Sequence, residues 1–122
     1  MSHPFDALNG HQYLSLTTYR KTGQPVSTPV WFAREGDTLY IVTQAEAGKV
    51  KRIRNNPQVQ LAPCDVRGNL KGPSFPAVAQ ILPESAFQTA DQALTRKYGL
   101  IKRLFDLFQR RSKRAYLAIR AE

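Results

Sequence analysis

With 122 residues the chain can bury roughly two thirds of its unfolded surface in one core, so a single domain spanning 1–122 is expected and further domains are excluded. Apolar residues make up 42% and charged residues 22%, with 8 prolines and 7 glycines, the composition of an ordered, turn-rich globule rather than a disordered tail. The net charge of +9 implies a polyanionic partner: nucleic acid, an acidic membrane surface, or a phosphorylated or polycarboxylated cofactor.

The first two thirds of the chain read as β structure. Tyr13 to Tyr19 alternates as a strand, Lys21 to Gln24 turns, and Val26 to Ala33 returns as its partner. Pro29 lies inside that second strand and has no N–H for a ladder, which places the strand at an edge, at a bulge, or with its backbone turned to a ligand. Glu35 to Asp37 forms another turn before the strand Leu39–Thr43.

A short basic helix follows. Gly48 opens it, Lys49, Lys51, Arg52 and Arg54 charge it, and Asn55-Asn56-Pro57 stops it. At about 100° per residue, Val50 and Ile53 share the face packed on the sheet, Lys49 and Arg54 flank that seam, and Lys51 and Arg52 point outward. A cation in the first helical turn opposes the helix dipole, so stability by itself does not select Lys49. An anionic ligand does, because free N–H groups and a lysine at a helix start attract oxyanions. The bland alternative is a solvated basic face.

Beyond this helix, Val59 to Cys64 forms a strand, Val66 to Pro73 a loop, and Phe75 to Leu82 another strand. A helical stretch from Glu84 to about Gln109, interrupted at Gly99, shows one apolar face through Leu94, Tyr98, Ile101, Phe105 and Phe108. Arg96, Lys97, Lys102, Arg103, Arg110, Arg111, Lys113 and Arg114 supply its basic counterpart, suited to packing on the protein's own barrel or a second subunit. Ala115 to Ile119 closes the sheet as the last of six expected strands.

The lone Cys64 excludes an internal disulfide and fits a reducing compartment. With His3 and His11 near a terminus expected to be mobile, no metal site is expected. Apolar runs fall far short of the ~20 residues that cross a bilayer, and the opening MSHPFDALNG lacks signal-peptide regions. A soluble, cytoplasmic protein is the expectation. The phosphate-loop and dinucleotide fingerprints, zinc-finger spacing and the GxSxG elbow are missing from the sequence. The 9 acidic residues are scattered rather than paired for general acid and base work. If the protein is an enzyme, its reactive chemistry then belongs to a bound cofactor.

The succession of an alternating strand, a G-x-P turn, S-T-P-V-W-F, a strand ending in V-T, then G-K-V-K-R-I-R-N-N-P and V-Q-L-A-P-C-D-V-R-G resembles the split β-barrel flavoproteins related to pyridoxamine 5'-phosphate oxidase. It is most similar to their coenzyme F-420 (deazaflavin)-dependent branch, in which R-K-Y-G-L-x-x-R-L-F, here Arg96–Phe105, also recurs. The resemblance runs from about Tyr13 to Ile119. It implies a mainly β split barrel with helices, a homodimer, and FMN or coenzyme F-420 in grooves at the dimer interface. It also implies an oxidoreductase that transfers hydride between the cofactor and a small unsaturated organic substrate. By the resemblance, Thr43 and Lys49 meet the cofactor phosphate, Val50 and Arg52 continue the helix contact, and Thr28, Pro29 and Val30 line the ring and its chain. Ala47 stands where relatives often carry a basic residue, which shifts the phosphate contact toward Lys49 and Arg54. The loop Arg67–Phe75 is the part expected to cover the ring of the other subunit. No side chain is assigned a catalytic role. Two other readings stay open: a flavin or haem carrier without turnover, and a nucleic-acid-binding barrel that stacks bases on Tyr13, Tyr19, Trp31, Phe32 and Tyr40.

Overall fold

The computed structural model describes residues 3–99 and 113–122. Among them are seven strands: β1 (Tyr13–Tyr19), β2 (Pro25–Trp31), β3 (Ala33–Glu35), β4 (Thr38–Gln44), β5 (Gln58–Cys64), β6 (Phe75–Ile81) and β7 (Arg114–Ala121). Helix α1 spans Gly48–Asn55 and α2 spans Phe87–Tyr98, each within a segment that the sequence marks as helical. The strands form one antiparallel sheet in the order β2-β1-β5-β6-β7-β4-β3.

Its two edge strands are consecutive in the chain, joined through Phe32 alone. The sheet must therefore curl until its edges meet. No ladder joins β2 to β3 or β4, and the result is a split β-barrel, mainly β, with α1 and α2 flanking it. The predicted single strand over 26–33 is in fact two, which raises the count from the expected six. A break there is invisible to periodicity, because apolar residues continue across it.

Inside the curl, Leu14, Leu16, Leu39, Ile41, Leu61, Leu117 and Ile119 are fully buried. A second cluster lies where α2 packs on the sheet, joining Ala90, Ala93, Leu94 and Tyr98 to Val42 and Tyr116. The N-terminal segment is not loose. Pro4–Leu8 forms a 3-10 turn capped by His3, and it sinks Phe5 and Leu8 into the main core with no exposure left. Two apolar side chains within five residues outweigh the ordering entropy that the terminal position suggested.

The C-terminal helical stretch is described as far as Gly99. A 3-10 turn at Glu84–Ala86 precedes α2, and Gly99 ends it at φ 55°, a left-handed conformation suited to glycine. The predicted continuation through Ile101, Phe105 and Phe108, with Lys102, Arg103, Arg110 and Arg111, lies outside the described residues. No helix among the described residues is long and apolar enough to cross a membrane.

Candidate functional site

Strand β3 pairs only with Thr38–Tyr40 of β4, so along Ile41–Thr43 no ladder among the described residues covers that edge. Facing it is β2, an edge strand bonded only to β1. Edge position removes the conflict at Pro29, whose missing N–H would interrupt an interior ladder. Between these two edges lies a cavity of about 370 Å³, lined by Tyr13, Pro29, Val30, Trp31, Val42, Thr43, Gln44, Ala47 and Lys49. Its size falls within the range of small-molecule and cofactor sites.

Lys49 reaches this cavity from the first turn of α1. Burial, and secondarily the charge of Arg52, lowers its pKa. The ion pairs among the described residues, Arg34–Asp6, Lys71–Asp65 and Arg96–Glu35, do not include it. Ala47 is the N-cap and offers no side chain to the helix start. The cavity thus holds a partly desolvated cation beside an uncapped positive helix end, an arrangement whose electrostatic cost an oxyanion would remove.

The structure brings Pro29, Val30, Thr43 and Lys49 together around the cavity. Thr28 is one residue farther along β2, half-buried and opposite Leu16 of β1. Val50 is 1% exposed and belongs to the seam under α1 with Ile53, so any contact it makes with a ligand is through the backbone. Arg54 is exposed on the helix. Arg52 does not point outward as helical geometry suggested. Its Nε donates to the Thr18 hydroxyl at 2.6 Å, and its guanidinium lies across Gly48, where a Cβ would sit 2.7 Å from Nη1. A buried acceptor on β1 and a glycine with no side chain draw it down.

Sequence reasoning missed Trp31 as a wall of the cavity, as well as Tyr13, Val42 and Gln44. Trp31 stacks on Tyr98 with ring centroids 4.7 Å apart and planes 14° from parallel. The signal was present in the apolar spacing of α2, but periodicity names a buried face without saying what it meets.

Of the five aromatics that could stack bases, Tyr13, Tyr19 and Tyr40 are half-buried. Phe32 is buried beneath the Lys97 ammonium, which lies 3.4 Å from its ring centroid, and Trp31 is stacked. Cys64 is buried and unbridged. Burial, then the neighbouring Asp65, raises its thiol pKa, which keeps it unreactive.

A curled sheet split along one seam, with a cavity in the seam, defines a split-barrel class of fold. The chain belongs to the pyridoxamine 5'-phosphate oxidase family, whose model matches residues 5–122. General stress protein 26 of Bacillus subtilis is 39% identical over 56 residues, which cover 46% of this chain and 39% of that protein. The match thus spans well under half of the curated relative. Among solved structures, a conserved hypothetical protein from Mycobacterium tuberculosis is 26% identical, with a TM-score of 0.73 over 100% of this chain and 81% of that one. The haem storage protein HutZ from Vibrio cholerae shares the fold at 16% identity, with a TM-score of 0.73 over 96% of this chain and 86% of that one. An F420 reductase does so at 19% identity, with a TM-score of 0.67 over 100% of this chain and 96% of that one.

Proposed function

We propose that the cavity between β2 and β4 binds a flavin-type cofactor, FMN or coenzyme F-420, and that the protein is an oxidoreductase acting on a small unsaturated organic substrate. The observation that carries this reading is Lys49, a half-buried cation without an ion-pair partner among the described residues, in the wall of a cavity of mixed polar and apolar lining. Lys49 and the Thr43 hydroxyl would take the phosphate, with Arg54 at the exposed end of α1. Pro29, Val30 and Trp31 would flank the ring, and the unpaired edges of β2 and β4 offer backbone donors and acceptors to its polar rim. When bound, the cofactor supplies hydride transfer; the chain itself excludes water and orients the reactants. The family match and the F420 reductase of like fold support the reading.

The deazaflavin is favoured over FMN by charge. Its tail carries several glutamates, and Lys51 and Arg52 lie along α1 with Arg20 and Lys21 across a neighbouring cleft. A carrier role without turnover is the second reading. It is favoured by a cavity lining that, among the described residues, carries no carboxylate, histidine or cysteine, and by the haem storage protein of like fold.

The test is titration of FMN and coenzyme F-420 into wild type and Lys49→Ala at low and high salt. A charge-assisted phosphate contact is worth about 1.5–3 kcal/mol, so Lys49→Ala should weaken either cofactor by about tenfold or more with little change in Tm. Exposed carboxylate contacts are worth about 0.2–1 kcal/mol each and are screened, so any advantage of coenzyme F-420 should shrink as salt rises. Unchanged affinity in Lys49→Ala would overturn the phosphate assignment. Tight, salt-dependent binding of a DNA duplex with neither cofactor bound would instead support nucleic-acid binding.

We also infer a homodimer in the cytoplasm. Val66 and Leu70 are 61% and 59% exposed. Their loop lies against β2, since a Cβ at Gly68 would stand 3.7 Å from Cδ of Pro29. A partner seated on this apolar loop would cover the open side of the cavity.

A further inference from the structure

The break between β2 and β3 leaves the backbone of Phe32 outside either ladder, in a buried position where unmade hydrogen bonds are costly. The Tyr98 hydroxyl resolves this. It accepts from the Phe32 N–H at 3.0 Å, donates to the Gln12 carbonyl at 2.6 Å, and lies 2.9 Å from the Phe32 carbonyl. Burial raises its pKa, so it remains a neutral donor. The ring of the same residue stacks on Trp31, and the Trp31 surface outside that stack borders the cavity. One side chain at the end of α2 therefore holds both the turning point of the split sheet and the aromatic wall beside it.

We propose that Tyr98 is a positioning residue: through the stack it fixes the orientation of Trp31, and with it the shape of the cavity presented to a planar ligand. The identity of that ligand rests on the cofactor reading above; the positioning of Trp31 does not. An aromatic pair is worth more than its buried area because the ring quadrupoles favour offset or edge contacts. A leucine at position 98 would fill part of the volume without that preference. Trp31 would then lose this ring contact and be held less tightly, and a ligand would have to select one of more orientations.

The chain has a single tryptophan, so its fluorescence reports this contact directly. The experiment compares acrylamide quenching of Trp31 and FMN affinity in wild type, Tyr98→Leu, Tyr98→Phe and, as a stability control, Val59→Ala in the main core. In the ligand-free protein Tyr98→Leu should expose Trp31 to quencher, whereas Tyr98→Phe, which keeps the stack, should shield it as wild type does. FMN affinity should fall by about threefold to tenfold in Tyr98→Leu, the equivalent of an aromatic pair, and by much less in Tyr98→Phe. Val59→Ala should lower Tm without altering either readout. Wild-type shielding of Trp31 in Tyr98→Leu overturns the proposal. If that variant does not fold, Tyr98→Phe decides: shielding like wild type supports the stack, and quenching like the unfolded chain overturns it. If wild type itself binds neither FMN nor coenzyme F-420, the cofactor reading fails while the ligand-free quenching still decides the role of Tyr98.

Discussion

Lys97 and Lys49 show that a basic residue on a helix is not one kind of object. Lys97 donates to the His11 carbonyl at 2.7 Å and lies over Phe32, and burial pushes its pKa from 10.5 to about 8. Because the folded value lies below the unfolded one, the unfolded chain binds more protons between them. Stability should therefore rise with pH through that window. Urea midpoints for wild type and Lys97→Met, taken at about pH 7 and about pH 9.5, should show wild type gaining on the variant as pH rises. A constant difference would mean that the carbonyl and the ring keep the ammonium charged despite burial. At this scale Pro29 and Lys49 were legible in the sequence, since each violates a local rule, one of strand pairing and one of helix electrostatics. Tyr98 violates none. It reads as one more apolar position of α2, and its hydroxyl has a purpose only because Gln12 and Phe32 are brought to it.

Helix α1 is only 8 residues long, too short to persist by itself. Val50 and Ile53 tie it to the sheet, and the Arg52–Thr18 hydrogen bond ties it to β1. Thr18 is 1% exposed, so Thr18→Val keeps the shape and removes the acceptor. Arg52 can turn to water, which leaves the loss near about 1 kcal/mol rather than the full value of a charged hydrogen bond. Urea unfolding measures it, and a change near zero would show that the bond contributes nothing net to holding α1. The seam of α1 was legible from helical period, whereas the direction of Arg52 was not, because an acceptor 34 residues earlier in sequence decides it. The division of β2 from β3 was hidden for a similar reason. Val30, Phe32 and Ala33 are all buried, but on opposite sides of a change in sheet edge that leaves no mark on composition.

For the whole molecule, the expected assembly is two copies. Light scattering at tens of micromolar should give twice the 13.8 kDa chain mass, and Val66→Asp with Leu70→Asp should shift it toward the monomer. A monomeric wild type would remove the proposed cover of the cavity. The sequence by itself determined the seam of α1 and the anomalies at Pro29 and Lys49, because these depend on period, on proline chemistry and on charge within a few residues, whereas the split-barrel class was carried by the resemblance to a known family. Only the tertiary structure decided that β2 and β4 face each other across an unbonded seam, that Trp31 stands in its wall and that Tyr98 holds it there. Those facts follow from the closure of a curled sheet, which joins residues as far apart as Phe32 and Tyr98, and such pairings are set by packing and the satisfaction of buried polar groups rather than by any local pattern.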